Sequence, residues 1–120
     1  MARASITLHK VSEPNKASAA ILTTNLTTAL TADGAEVVWD CSDEKTLVMV
    51  QNTGSAAADF TIKAGNGIQG VNDLVINVAT TATVYLQLDS GRFKHVSGED
   101  VGKVIFAGGT SFKVGVFELA

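Results

Sequence analysis

Short apolar runs that alternate with a period of two, each closed by turn residues, recur along most of this chain and restrict it to a β fold. In "ADFTIKA" (58–64), Phe60, Ile62 and Ala64 fall on one side and Asp59, Thr61 and Lys63 on the other. "DLVINVA" (73–79) groups Leu74, Ile76 and Val78, and "TATVYLQL" (81–88) groups Ala82, Val84, Leu86 and Leu88 against Thr83, Tyr85 and Gln87. "SITLHKV" (5–11) alternates too, with Ile6, Leu8 and Lys10 on one side. "AEVVWDC", "KTLVMVQNT", "GRFKHV", "GKVIFAG" and "FKVGVFEL" complete the series. Successive side chains of a strand point to opposite faces, so this alternation marks half-buried strands.

Turn chemistry separates the runs. Asn52-Thr53-Gly54-Ser55, Gly65-Asn66-Gly67, Val71-Asn72-Asp73, Asp89-Ser90-Gly91, Ser97-Gly98-Glu99-Asp100 and Gly108-Gly109 all carry residues that favour tight reversals. Strands at a spacing of roughly 8–12 residues with turns between them indicate a sandwich or small barrel. The expected fold class is therefore all-β: a single antiparallel β-sandwich, jelly-roll-like, with an extended N-terminal segment. Residues 17–30 place Ile21, Leu22, Leu26 and Leu30 near helical spacing, but their threonines favour extended backbone. Every glycine and every aromatic residue lies after position 33. The expected division is residues 1–34 as an N-terminal strand or arm and residues 35–120 as the sandwich core, anchored first by Trp39, in one domain overall.

A literal G-x-G-x-x-G stands at Gly65, Gly67 and Gly70. A dinucleotide site needs the third glycine to open a helix whose N-terminus holds the pyrophosphate. Two β-patterned runs follow Gly70 instead, and Asp89, at the distance of a ribose-binding acid, sits in a turn. The stretch reads as a strand-to-strand loop, with Asn66-Gly67 as a tight turn requiring positive φ. No cofactor is expected.

Other chemistry is equally sparse. His9 and His95 have no companion at metal-ligand spacing, and Cys41 has no cysteine partner, so neither a metal site nor an intrachain disulfide is expected. His95 reads as a solvated strand position and Cys41 as a small buried hydrophobe. Asp40, Asp43 and Glu44 lack the calcium-loop pattern and read as a solvated loop. Glu99 and Asp100 occupy a turn with no cleft implied, and no nucleophile signature occurs. The chain is expected not to be an enzyme. A net charge of −3 gives no field for nucleic acid, so Phe93 in "RFKH" reads as a core anchor rather than a stacking platform. No run reaches the roughly 20 apolar residues of a membrane-spanning helix, and the N-terminus has no signal-type apolar stretch; synthesis and folding in a cytoplasm are expected.

The stretch from residue 44 to residue 119 resembles the small β-sandwich head decoration proteins of tailed bacteriophages. The matching parts are a strand ending in Asn52-Thr53-Gly54, the "DFTIKAGNG" strand and turn, the "VYLQLDSGRFK" strand and turn, and a closing "KVIFAGG…FKVGVFEL" hairpin. The resemblance implies a non-enzymatic virion protein on the capsid surface, bound to the major capsid protein lattice and stabilising it. It implies a homo-oligomer, with a trimer favoured, and no nucleic-acid or membrane partner. Contact residues are inferred as Ile6, Leu8, Ile21, Leu22 and Leu26 of the N-terminal segment and the loops around Asn66 and Arg92. Two alternatives stand beside it: a carbohydrate- or receptor-binding accessory domain of a tail or baseplate, with Tyr85 as its platform, and a tail-tube or head–tail joining protein.

Overall fold

The computed structural model describes residues 3–6, 8–10, 28–68, 70 and 72–119. Their architecture is an all-β sandwich of two packed sheets. The strands are β1 (Ala4–Ile6), β2 (Leu8–Lys10), β3 (Thr28–Ala29), β4 (Ala35–Val38), β5 (Thr46–Asn52), β6 (Ala58–Ile62), β7 (Leu74–Val78), β8 (Thr83–Leu86), β9 (Lys103–Ala107) and β10 (Phe112–Glu118). The first sheet runs β1-β4-β9-β6-β7 and the second β2-β10-β5-β8, with β3 also on β10. Interior ladders are antiparallel, the longest being β5 on β10 from Asn52↔Phe112 to Thr46↔Glu118. The two N-terminal strands are parallel additions, β1 on β4 and β2 on β10.

Period-two alternation does what it should in these strands. Val48 and Val50 of β5, Phe60 and Ile62 of β6, and Val114 and Val116 of β10 point inward and are fully buried. Phe60 joins the layers: its ring lies 5.4 Å from Phe106 of its own sheet and 5.3 Å from Phe112 of the other. Such aromatic pairs contribute about 0.5–1.5 kcal/mol beyond the area they bury. Trp39, Leu88 and Phe93 close one end of this core. Met49 and Phe117, at the alternate positions of β5 and β10, form a second buried cluster on the outer face of their sheet.

Asn52 is a buried polar residue that ties the other end together. Its Nδ2 donates to the carbonyls of Ala56 and Val78, each at 3.0 Å, and its Oδ1 accepts from Gly54 N at 2.9 Å. Its backbone N–H donates to Ala82 O, and its carbonyl accepts from Thr81 N. A buried amide is tolerated only when satisfied in this way. It fixes the 53–57 loop and the turn between β7 and β8 to one strand end. Thr81, at φ 61°, is held in the left-handed region within that turn.

Four sequence expectations change. "SITLHKV" is two strands rather than one: β1 joins the first sheet and β2 the second, so Ile6 is buried while Leu8 packs half-buried from the other layer. Residues 4–6 and 8–10 are thus built into both sheets of the sandwich. "GRFKHV" is not a strand: Ser90–Phe93 forms one helical turn, α1, because the Asp89 side chain accepts from Gly91 N and caps it. The last two strands are not a hairpin, since β9 pairs with β4 and β6 while β10 pairs with β5. Cys41 is half-buried against the core rather than enclosed by it.

Candidate functional site

Three loops converge at the end of the sandwich closed by Phe93. Gly65 N donates to Arg92 O at 2.9 Å, which docks the loop after β6 onto α1. Asn66 adds two bonds: its Oδ1 accepts from Val96 N at 2.8 Å, and its Nδ2 donates to Ser97 O at 2.9 Å. His95 continues the brace, its N–H donating to Lys103 O and its carbonyl accepting from Gly102 N. Together they form a rim of fixed backbone on which Ile68 is fully exposed and Val96 and Val101 are largely so. Arg92 lies with its guanidinium 5.0 Å from the Phe93 ring centre, on the same rim.

The glycines explain why the loop can dock. A Cβ on Gly65 would stand 2.5 Å from Lys94 O, and one on Gly70 would stand 2.1 Å from Gly65 O. Both contacts are with backbone, which cannot step aside. A Cβ on Gly67 would make only ordinary van der Waals contacts, with the Val96 side chain at 3.6 Å and Gly91 O at 3.8 Å. Gly67 is not among the positive-φ glycines, so the expected requirement at Asn66-Gly67 is replaced by close backbone approach at Gly65 and Gly70.

Beside the rim, a cleft of about 470 Å³ opens on the outer face of the first sheet, with Ile105 among the residues lining it. Its charged walls are largely occupied with one another. Arg3 Nη1 binds Glu36 Oε1 at 3.0 Å, and both its terminal nitrogens reach the Asp100 carboxylate, at 3.0 and 3.3 Å. Lys103 Nζ meets Glu36 Oε2 at 2.6 Å. Lys63 pairs with Asp73 at 3.7 Å, and Asp73 also accepts from Ala64 N. The Lys103 ammonium, then Arg3, hold the Glu36 carboxyl below its ordinary range, and the Arg3 fork does the same for Asp100. His95 lines this cleft, and its Nε2 is buried without a hydrogen-bond partner. It is therefore not the solvated strand position its neighbours suggested.

Asp43 departs from its expected solvated role as well. Desolvation pushes its carboxyl up, but the Trp39 indole and the Ser90 N–H and hydroxyl together push it further down, below the usual range. No group of three His, Cys, Asp or Glu side chains stands at metal-holding geometry among the described residues.

Of the residues singled out by sequence, the fold brings Asn66 and Arg92 together on one rim. Ile6 is committed to the core, Leu8 packs half-buried at the far edge, and Ile21, Leu22 and Leu26 lie outside the described residues. Sequence reading missed the Arg3–Glu36–Lys103–Asp100 network, whose bonded partners Arg3 and Asp100 are separated by 97 positions. It also missed the exposed Ile68, whose only signal was an isoleucine lying between Gly67 and Gly70. No helix among the described residues is long and apolar enough to cross a membrane. No protein family matches the chain, and neither a curated protein nor a solved structure is significantly similar to it.

Proposed function

We propose that this chain is a non-enzymatic structural protein of a tailed-phage virion that binds the outside of the capsid lattice and stabilises the shell. The observation carrying this reading is the braced rim. Asn66 and Gly65 fix loop backbone there with three hydrogen bonds, and that backbone presents the fully exposed Ile68 beside Val96 and Arg92. An apolar side chain held out on ordered backbone and flanked by polar groups has the composition of a protein-contact patch. A protein that binds only the assembled lattice stabilises that state by mass action. The sandwich resemblance of residues 44–119 supplies the identity of the lattice.

The experiment mixes purified protein with mature and immature shells of the encoding phage and measures co-sedimentation. Binding to mature shells, weakened at least about tenfold in Ile68→Asp with an unchanged unfolding midpoint, is the expected result. Binding to neither shell overturns the reading. A carbohydrate-binding role is favoured by one feature, the exposed Tyr85 on β8 next to Thr83. Glycan binding that disappears in Tyr85→Ala would establish it instead.

A further inference from the structure

The two lateral sides of the sandwich differ in how their edges are protected. On one side the edges are β1 in the first sheet and β2 with β3, both on β10, in the second; β1 and β2 follow each other in sequence with one residue between them. Arg3 and its ion pairs flank β1, and β2 reads Leu-His-Lys. Charges at an edge oppose the addition of a further strand. On the other side the edges are β7 in the first sheet and β8 in the second, joined by the turn held on Asn52. From Leu74 to Leu88 the chain has no charged residue, no proline and no glycine. Among the described residues each of these strands has a ladder partner on one side only, β6 for β7 and β5 for β8.

Among the described residues the large apolar side chains left partly uncovered gather on this bare side. Leu74, Ile76, Val84 and Leu86 pack on the core but are only partly buried, against Leu8 and the small Ala4 on the opposite side, whereas Phe60, Ile62, Val104 and Phe106 of interior strands are fully enclosed. Val75 and Tyr85 are exposed on the outer faces. The side therefore needs two things at once: backbone donors and acceptors along two edges, and apolar cover between them.

We infer that the β7–β8 side pairs with the same side of a second copy around a two-fold axis, extending both sheets into one continuous sandwich. A second copy meets both needs by construction. Antiparallel pairing of β7 with itself about Ile76 sets Leu74 opposite Val78 and Val75 opposite Asn77, apolar on the inner face and neutral on the outer. The nearest charge, Asp73, then lies opposite Ala79, so no like charges meet. Head-to-tail joining would instead set the bare side against the charged one, and would close only where the rotation between copies makes a ring, whereas the two-fold arrangement closes with two copies. The inference is independent of how the rim is used.

Light scattering and sedimentation equilibrium on the purified full chain, without shells, test it. The expected result is a dimer. Val75→Lys with Asn77→Lys, which sets lysines opposite each other at exposed positions, should weaken that dimer at least about tenfold. The exposed bond from Asn77 Nδ2 to Asp59 Oδ1 is replaced by an ion pair between the lysine at position 77 and Asp59, so the unfolding midpoint of the monomer should move little. Val38→Lys, equally exposed but on β4, should keep it. A monomer at about 1 mM overturns the pairing and leaves the edge to a strand of another protein. A dimer or trimer that keeps its mass in the double variant, or a dimer lost in Val38→Lys, overturns it as well. Because no shell is present, none of these failures bears on shell binding.

Discussion

The indole N–H of Trp39 donates to Asp43 Oδ1 over 2.9 Å, and the other carboxylate oxygen accepts from both the N–H and the hydroxyl of Ser90. One acidic side chain thereby couples the strand end at Trp39 to the start of α1. Asp43→Ala leaves a buried indole donor without an acceptor, which costs about 1–3 kcal/mol. Urea denaturation should show the loss, with a shift in Trp39 fluorescence, while Asp43→Asn, which can still accept from the indole, retains more of the stability.

The glycine series separates backbone packing from phosphate binding. Gly65→Ala and Gly70→Ala each force a Cβ against a carbonyl and should destabilise by about 1–3 kcal/mol. Gly67→Ala should change stability by no more than about 0.5 kcal/mol, since its Cβ meets the Val96 side chain and Gly91 O only at ordinary contact distances. Thermal unfolding of the three variants checks the order. An equal cost at all three positions would contradict the docking account.

Ile6 and Ile68 have opposite surroundings and should behave oppositely. Ile6→Ala removes apolar volume from the core and should cost about 2–3 kcal/mol. Ile68→Ala should leave the unfolding midpoint within about 0.5 kcal/mol of the parent. Denaturant midpoints of the two variants decide between a core and a surface assignment for the N-terminal strand.

Acid should dissolve the Arg3 network. Glu36 and Asp100 have folded pKa values below their unfolded values near 4, so their contribution is present above that pH and is lost as the pH falls through the folded values. The gap in urea midpoint between the parent and Glu36→Gln should therefore be widest near neutrality and shrink below about pH 4. Added salt should narrow it too, since the groups are partly exposed. A gap independent of both pH and salt would argue against the network.

Alternation and turn residues made most strands legible: β5, β6, β7, β9 and β10 fall inside runs that the period of two picks out. Alternation reports a face, not a sheet, which is why the division of residues 5–11 between the layers and the separation of β9 from β10 were hidden. The helical turn at Arg92 and Phe93 is too short to have a period and is set by one capping side chain, Asp89. The loop placement of Asn66 and the turn at Arg92 were legible because both sit in or next to turn segments. The ion pairs of Arg3 depend on contacts between remote parts of the chain, and charge alone carries no record of its partner.

The register of β2 on β10, with Leu8 beside Val116 and Lys10 beside Glu118, has a temporal side. Residues 8–10 leave the ribosome early and their docking strand leaves more than a hundred residues later. At about 5–20 residues per second, the early strand waits several seconds for its site. During that interval β5 has no β10 either, and in the first sheet β4 and β6 lack β9, which stands between them and is made only just before β10, so neither sheet can close. Completion of both sheets is thus timed by the emergence of β9 and β10, and a stall in translation short of residue 103 should leave a nascent chain that proteases cut readily.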